Sequence, residues 1–472
     1  MVLSRAALLL SAVWPASALS QAPAPVALVG ATLIDGTRRA AVPDAVILVQ
    51  NGRIHCAGSR QHCAVPPRVP TLDFSGKYIT PGLVDAHVHM GQTGWLDGRP
   101  DGLKTNTVYP YARTIADLRA DPDRWHRAFL CSGVTAAYEV GGMPWTIAAA
   151  RAGQGRSDRI NMRASGPLVT IAPREQMNLP GQPTFIKLPP QGEAAAAVAW
   201  LRTKGAEAVK LWFLKPTEAE RTEVDARVMA LGAAVRRAGL PFLVHATELR
   251  EAKVALRSGA TYLVHSVYDR PVDAEFLNLL AGNKAAYGPT LLVGRNWARS
   301  LASIYFGEAP KIDDPNHCTA PETAAMASDP KRARPDLSPD ANAERVYDSF
   351  GRRGGEYAMG LENLRRVYAA GGTIVLGTDA GNPLTVHGPS VYAELEAMEQ
   401  AGIPSADLIQ IATRNGAALM GNLEQFGTLE KGKQADLLVL AEDPRAGVKA
   451  FRSLTHVMRG GVLHEQTELR AR

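Results

Sequence analysis

The sequence predicts an α/β fold: a (β/α)8 TIM barrel with a small composite β-sandwich domain built from both chain ends. Three observations carry this expectation. Eight short apolar runs alternate with helical segments in the middle of the chain, strand-like text without helices precedes them, and similar strand-like text returns after them.

Taken in order, residues 1–20, MVLSRAALLLSAVWPASALS, carry one positive charge at Arg5, an apolar core from Ala6 to about Val13, and small residues at Ala16 to Ala18. That three-part pattern predicts a signal peptide cleaved after Ala18 or Ser20, and hence a periplasmic or secreted mature chain. The apolar core is too short to span a bilayer, and no later run reaches the roughly 18 apolar residues of a membrane helix. Export permits disulfides, and the chain has four cysteines, Cys56, Cys63, Cys131 and Cys318. Cys56 and Cys63 flank the turn-like AGSRQH, where a bridge fits; the absence of CxxC spacing argues against a cysteine-ligated zinc.

Residues 21–78 read as short strands and turns, VALVGATLIDG, AVILVQNGRI and TLDFSGKYIT, and form the N-terminal part of the expected β-sandwich. The barrel is expected over 79–424. Its eight runs are GLVDAHVH (82–89), GVTAAYEV (133–140), INMRASGPLV (160–169), AEAVKLWF (206–213), PFLVHAT (241–247), TYLVHSV (261–267), AAYGPTLLV (285–293) and GTIVLGTD (372–379). Eight is the number that closes a TIM barrel. Helices are expected between them at 193–204, 219–238, 249–258 and 274–280. A polar, Pro-rich stretch around 296–360 separates the last two runs, and a loop of that length reads as a lid over the C-terminal mouth. Residues 425–472, with GTLEKGKQADLLVLAEDP and HVMRGGVLHE, restore the strand pattern as the C-terminal part of the β-sandwich.

Composition is that of an ordinary folded enzyme, with 46% hydrophobic and 21% charged residues. A net charge of +6 is diluted over 472 residues, with no run of five or six Lys/Arg, which argues against a nucleic-acid partner. The expected partner is a small-molecule or dipeptide substrate, with no membrane contact after signal cleavage; the choice between monomer and homo-oligomer stays open.

The chemistry lies at the ends of the runs. His87 and His89 end the first, Lys210 is late in the fourth, His245 late in the fifth, His265 late in the sixth, and Asp379 ends the eighth. Parallel barrel strands deliver these ends to one mouth. His87 and His89, two apart, project to the same side of an extended strand. Each residue alone has an ordinary reading, as a satisfied strand-end histidine, a turn aspartate or a snorkelling lysine. Together, four imidazoles and a carboxylate in an apolar mouth are costly unless a divalent cation satisfies them. An ammonium repels a cation, so Lys210 joins such a site only after capturing carbon dioxide as a carbamate.

With these motifs the chain resembles the amidohydrolase superfamily, in its imidazolonepropionase-like and prolidase-like secreted branch. The resemblance runs through PGLVDAHVH, GVTAAYEVGG, GAEAVKLW, LVHA, LVHS, GTDAG, ATRNGAALMG and GTLEKGKQADLLVLAEDP, in that order. It implies two divalent ions, zinc being expected, with His87, His89 and Asp379 on the more buried ion, His245 and His265 on the second, and carboxylated Lys210 bridging. It further implies hydrolysis of an amide C–N bond by a metal-activated hydroxide, with Asp379 as the catalytic proton acceptor. The substrate would be a small amide, a dipeptide or an N-acyl amino acid.

Two residues are expected to bind substrate. Tyr268, in HSVYDRP, stands where dipeptide-cleaving relatives place a tyrosine near the substrate carboxylate. His387, in TVHGPS, lies in a loop expected at the mouth. The first loop, HMGQTGWLDGRPD, adds Gln92, Trp95 and Arg99 as lining candidates. The chain departs from the family at Ala136, Tyr138 and Glu139, where GVTT followed by Arg-Asp is usual. Two alternatives keep the fold: an esterase or lactonase on the same two-metal barrel, and a non-catalytic binding protein, whose mark would be the loss of one of the six candidate ligands.

Overall fold

The computed structural model describes residues 23–99, 102–103, 105–337 and 342–471; the expected signal peptide lies outside them. Among the described residues no helix is long and apolar enough to cross a membrane.

The two chain ends share sheets. Strands β1 (Val26–Val29), β3 (Ala45–Gln50), β4 (Arg53–Ser59) and β5 (Thr71–Asp73) form a four-stranded sheet in the order β4-β3-β1-β5. A five-stranded sheet takes β2 (Thr32–Leu33) and β6 (Tyr78–Pro81) from the N-terminal segment. It takes β17 (Leu437–Leu440), β18 (Leu454–Arg459) and β19 (Val462–Glu465) from the C-terminal one. β6 runs antiparallel to β17, with Tyr78 opposite Leu440. Leu28, Ile47, Val49 and Phe74 pack with Leu437, Val439 and Met458, so both ends bury apolar surface in one cluster.

Between them lie two arcs of parallel strands. One joins β7 (Leu83–Val88), β8 (Val134–Glu139) and β9 (Asn161–Ala164). The other has β10 (Leu168–Thr170), β11 (Phe185–Lys187), β12 (Val209–Trp212), β13 (Phe242–His245), β14 (Tyr262–Val264), β15 (Ala286–Gly288) and β16 (Thr373–Ile374), in the order β11-β10-β12-β13-β14-β15-β16. Backbone hydrogen bonds connect the arcs on both flanks. Ala86 N–H donates to Leu376 O and Asp379 N–H to His87 O on one; Glu207 N–H donates to Ala164 O on the other. Val84, Ala86, Ala136, Ala208, Leu243 and Val375 fill the space between the arcs.

Helices follow most strands. The first three are α1 (Tyr111–Ala120), α2 (Asp123–Cys131) and α3 (Pro144–Ala152). Next come α4 (Ala194–Thr203), α5 (Arg221–Arg237), α6 (Leu249–Arg257) and α7 (Ala274–Gly282), within two residues of where the Ala/Leu/Glu/Arg-rich text predicts them.

Three expectations change. The third run is two strands: Gly166, at φ 68°, bends the chain so that β9 pairs with β8 while β10 pairs with β12 and with β11, a strand outside the eight runs. The eighth run forms only two residues of strand before continuing as an extended segment. The stretch at 296–360 is largely helical, with α8 (Val293–Phe306), α9 (Pro321–Ser328) and α10 (Ala343–Ala369). Pro321 sits at the first turn of α9, and Asn342 caps α10 by accepting from Arg345 N–H at 2.8 Å. Glycines 351, 354 and 355 mask the periodicity of α10, which is held by packing along α8 rather than by propensity. The last helices are α11 (Ser390–Gln400), α12 (Ser405–Gln410) and α13 (Gly416–Leu419).

Two disulfides are present. Cys56–Cys63 is the pair expected from spacing; Cys131–Cys318 joins the end of α2 to the loop between α8 and α9 across 187 positions. Nothing in the local sequence signals a contact over that distance.

Candidate metal centre

β7 delivers two histidines through a change of phase. Strict alternation would place residues 84, 86 and 88 on one face. Val84 and Ala86 do face the space between the arcs, but Val88 joins the outer core, and the register against β8 slips between Asp85 and Val88. This bulge turns His87 and His89 toward the mouth. Lys210 comes from β12, His245 closes β13, His265 follows β14, and Asp379 lies beyond β16. All six line one cavity of about 520 Å³. His265 and Asp379 hold φ of 75° and 64°, left-handed backbone costing about 1–3 kcal/mol each and concentrated at functional sites.

Asp379 is the hub. Its Oδ1 lies 3.0 Å from His89 Nε2 and 3.3 Å from His87 Nε2, and its Oδ2 lies 3.9 Å from His265 Nε2. Ligand atoms of His87, His265 and Asp379 all fall within 4.8 Å of one another. The His245 and His265 rings are 4.5 Å apart, centroid to centroid.

The donor chemistry tests whether a cation fits. His89 Nδ1 lies 2.7 Å from Gly141 O; a carbonyl only accepts, so Nδ1 carries a hydrogen and Nε2 is the ring atom turned to Asp379. His265 Nδ1 is engaged by Thr290 Oγ1 at 2.5 Å, leaving its Nε2 toward the carboxylate. Neither ring nitrogen of His87, nor Asp379 Oδ1, has a hydrogen-bond partner, although all are buried; the 3.3 Å approach between them is not a hydrogen bond. Burial, followed by the nearby Lys210, holds His87 well below the usual imidazole range and His245 at about 3; burial and His245 do the same for His265. Buried imidazole nitrogens and a carboxylate oxygen left without partners are costly. A divalent cation among them removes that cost, so these residues fit one. Burial also pulls the Lys210 amine down to about 7, against the attraction of Asp379.

The substrate candidates part company. Tyr268 lines the cavity, and its hydroxyl donates to the carbonyls of Thr290 and Pro289 at 3.2 and 3.3 Å. His387, expected to bind substrate, lies outside the residues that line this cavity. It is buried, stacks on Trp125 at 3.8 Å, and approaches His89 O with Nε2 at 2.9 Å, so it supports the chain behind a candidate ligand. Gln92 and Arg99 line the cavity, whereas Trp95 is buried in a separate cluster.

The cavity has unlike walls. Leu168, Met177, Phe185, Trp212 and Leu214 form an apolar side, with Phe185 and Trp212 stacked at 5.4 Å. Arg353 and Glu356, paired at 2.7 Å, and Trp297 add a mixed side. Sequence reading missed Arg353 and Glu356 because they stand on α10, in text that reads as loop.

Comparison with known proteins places the chain. The sequence model of the Amidohydrolase family matches residues 78–463. The chain belongs to the amidohydrolase family. Within it, this amidohydrolase is 36% identical over 108 residues to the ochratoxinase of Aspergillus niger, a match spanning 22% of this chain and 22% of that protein. It is 24% identical over 440 residues to the 5-methylthioadenosine/S-adenosylhomocysteine deaminase of Symbiobacterium thermophilum, covering 88% of this chain and 85% of that one. A solved Xaa-Pro dipeptidase with methionine bound in its active site superposes with a TM-score of 0.69 at 20% identity, over 94% of this chain and 100% of that one. At that identity the likeness is one of fold.

Proposed function

We propose that the protein is an exported, divalent-metal-dependent hydrolase of amide C–N bonds, acting on a small amide such as a dipeptide or an N-acyl amino acid. One observation carries the reading: both ring nitrogens of His87 and Asp379 Oδ1 are buried without a hydrogen-bond partner, and the Nε2 atoms of His87, His89 and His265 converge on the Asp379 carboxylate. Arcs of parallel strands around this cluster support a (β/α)8 barrel, and the sheets shared by the chain ends support a composite β-sandwich beside it.

His87, His89 and Asp379 would hold one ion and His245 and His265 a second, with zinc the natural choice for imidazole and carboxylate donors. Burial lowers the Lys210 amine to about 7, which favours the neutral form that would react with carbon dioxide, releasing a proton, to give a carbamate whose oxygens would be further candidate metal donors. Such an ion supplies Lewis acidity toward a carbonyl oxygen and lowers the pKa of water. Asp379 takes the proton of the attacking water and passes it to the leaving amine nitrogen as the C–N bond breaks. The apolar wall receives an acyl group or side chain, and Arg353 answers a carboxylate. Tyr268 lines the same space and can meet that carboxylate once its hydroxyl leaves the Thr290 carbonyl. The amino-acid-sized ligand of the related dipeptidase supports a substrate of this size.

Export is supported by the pairing of all four cysteines, an arrangement of oxidising compartments. The test is a screen of zinc-loaded protein against dipeptides, N-acyl amino acids and chromogenic esters. Amide turnover is expected; fast ester turnover with none on amides overturns the C–N assignment in favour of an esterase or lactonase.

A further inference from the structure

Outside the six candidate donors, one buried carboxylate reaches the site through the backbone. Glu394, on α11, is 1% exposed. Its Oε1 accepts from Leu291 N–H at 2.7 Å and its Oε2 from Leu292 N–H at 3.2 Å, about a hundred residues earlier in the chain. Those two amides form the turn between β15 and α8. Burying a carboxyl is costly, and burial pushes this one up to about 8, while the two amides pull it down.

The residue just before them is the one that touches the centre. Thr290 is β-branched yet sits at φ 44°, a conformation that persists only where its surroundings over-determine it. Its Oγ1 lies 2.5 Å from His265 Nδ1, and its carbonyl accepts from the Tyr268 hydroxyl at 3.2 Å. A continuous set of contacts therefore runs from Glu394, through the amides of Leu291 and Leu292, to Thr290, and from there to a candidate metal donor and a cavity-lining phenol.

We propose that Glu394 is a positioning residue for the metal centre: it clamps the 290–292 turn so that Thr290 fixes the His265 ring with Nε2 toward the cavity. The proposal rests on His265 being a metal donor. Groups that orient a metal-binding imidazole typically change metal affinity about 10–100-fold when removed. Two other buried acids near the centre are engaged elsewhere: Asp85 with Thr378 and Glu139 with Thr146.

Four variants of the full chain test it, with zinc alone as the probe. Glu394→Gln keeps shape but offers one acceptor to two amides. Thr290→Val keeps shape but loses the hydroxyl. Thr290→Ser keeps the hydroxyl. His265→Ala removes the donor. Zinc affinity is measured by chelator competition, and backbone hydrogen exchange is followed at residues 289–293. Glu394→Gln is expected to lose zinc affinity roughly 10–100-fold and to exchange faster at Leu291 and Leu292. Thr290→Val is expected to match that affinity loss and Thr290→Ser to hold zinc as the parent does. Parental zinc affinity in Glu394→Gln or in Thr290→Val, with affinity lost in His265→Ala, overturns the proposal. Parental affinity in His265→Ala overturns the donor assignment beneath it instead. Should Glu394→Gln not fold, Glu394→Asp, which is too short to reach both amides, decides by the same two readouts.

Discussion

His89 Nε2 and Asp379 Oδ1 face each other across 3.0 Å while the ring's Nδ1–H points the other way, to the Gly141 carbonyl. A divalent cation between them would be held by both atoms. Loading with zinc should therefore stabilise the fold: at 1,000 times the dissociation constant, binding adds about 4 kcal/mol. Thermal melts of chelated protein titrated with zinc should show a rising midpoint, and an unmoved midpoint refutes the site.

Asp379→Asn removes the proton acceptor and leaves the shape. Amide turnover should fall by about 10²–10⁴-fold, the usual worth of a positioned general base. Because the carboxylate is also a candidate ligand, zinc stoichiometry is measured alongside. Parental turnover in a variant that retains its zinc would falsify the role of Asp379.

Much of this centre was legible because its residues lie at strand ends, where a period of two and a shared mouth translate sequence position into space. His87 and His89 are neighbours in text, and Lys210, His245, His265 and Asp379 close apolar runs. What sequence hid depends on tertiary contact. Glu394 matters through amides a hundred residues away, and Cys131 finds Cys318 across 187 positions. Gly166 splits one apolar run into two strands that join different arcs. Glycines in α10 concealed the helix that carries Arg353 to the cavity. A loop histidine after Asp379 reads as a mouth residue; His387 instead stacks on Trp125 and approaches the His89 carbonyl, a placement only tertiary packing reveals.

Arg353 separates substrates by charge. Its Nε is buried without a hydrogen-bond partner, and one Nη is held by Glu356 at 2.7 Å, so the guanidinium is fixed beside the cavity. A hydrogen bond to a charged group contributes about 1.5–3 kcal/mol. Arg353→Leu should raise KM for carboxylate-bearing amides by about 10–100-fold with kcat nearly unchanged, and leave uncharged amides alone. Equal losses on both substrate types would show that Arg353 holds structure rather than substrate.

His126, on α2, predicts an acid limit to stability. The ring is buried, neither nitrogen has a hydrogen-bond partner, and burial lowers its pKa from 6.5 to about 4, with Arg159 adding to the effect. Between pH 6.5 and about 4 the unfolded chain binds a proton that the folded one excludes. Stability contributed by the neutral ring is therefore complete above pH 6.5 and lost as pH falls, by up to about 1.4 kcal/mol per unit. Denaturant midpoints across that window should fall less steeply in His126→Phe, and identical slopes would remove His126 as the cause.

Arg459 and Asp436 form a buried pair at 3.1 Å, each side chain 2% exposed. The pair joins the two architectures: Arg459 ends β18, and its guanidinium also donates to Asn161 Oδ1 on β9 and to Arg159 O. Asp436 in turn accepts from Asn161 Nδ2 and Gly460 N–H. Removing either partner strands a buried charge, which costs about 3–5 kcal/mol, whereas replacing both with apolar groups can cost far less. Arg459→Met and Asp436→Leu should each destabilise by that amount. The double variant should recover part of the loss, giving a coupling that exceeds the few tenths expected of independent sites. Additive losses in a denaturant-based double-mutant cycle would mean that the two residues act separately, and that the junction between the C-terminal strands and the parallel arcs is held by apolar contacts instead.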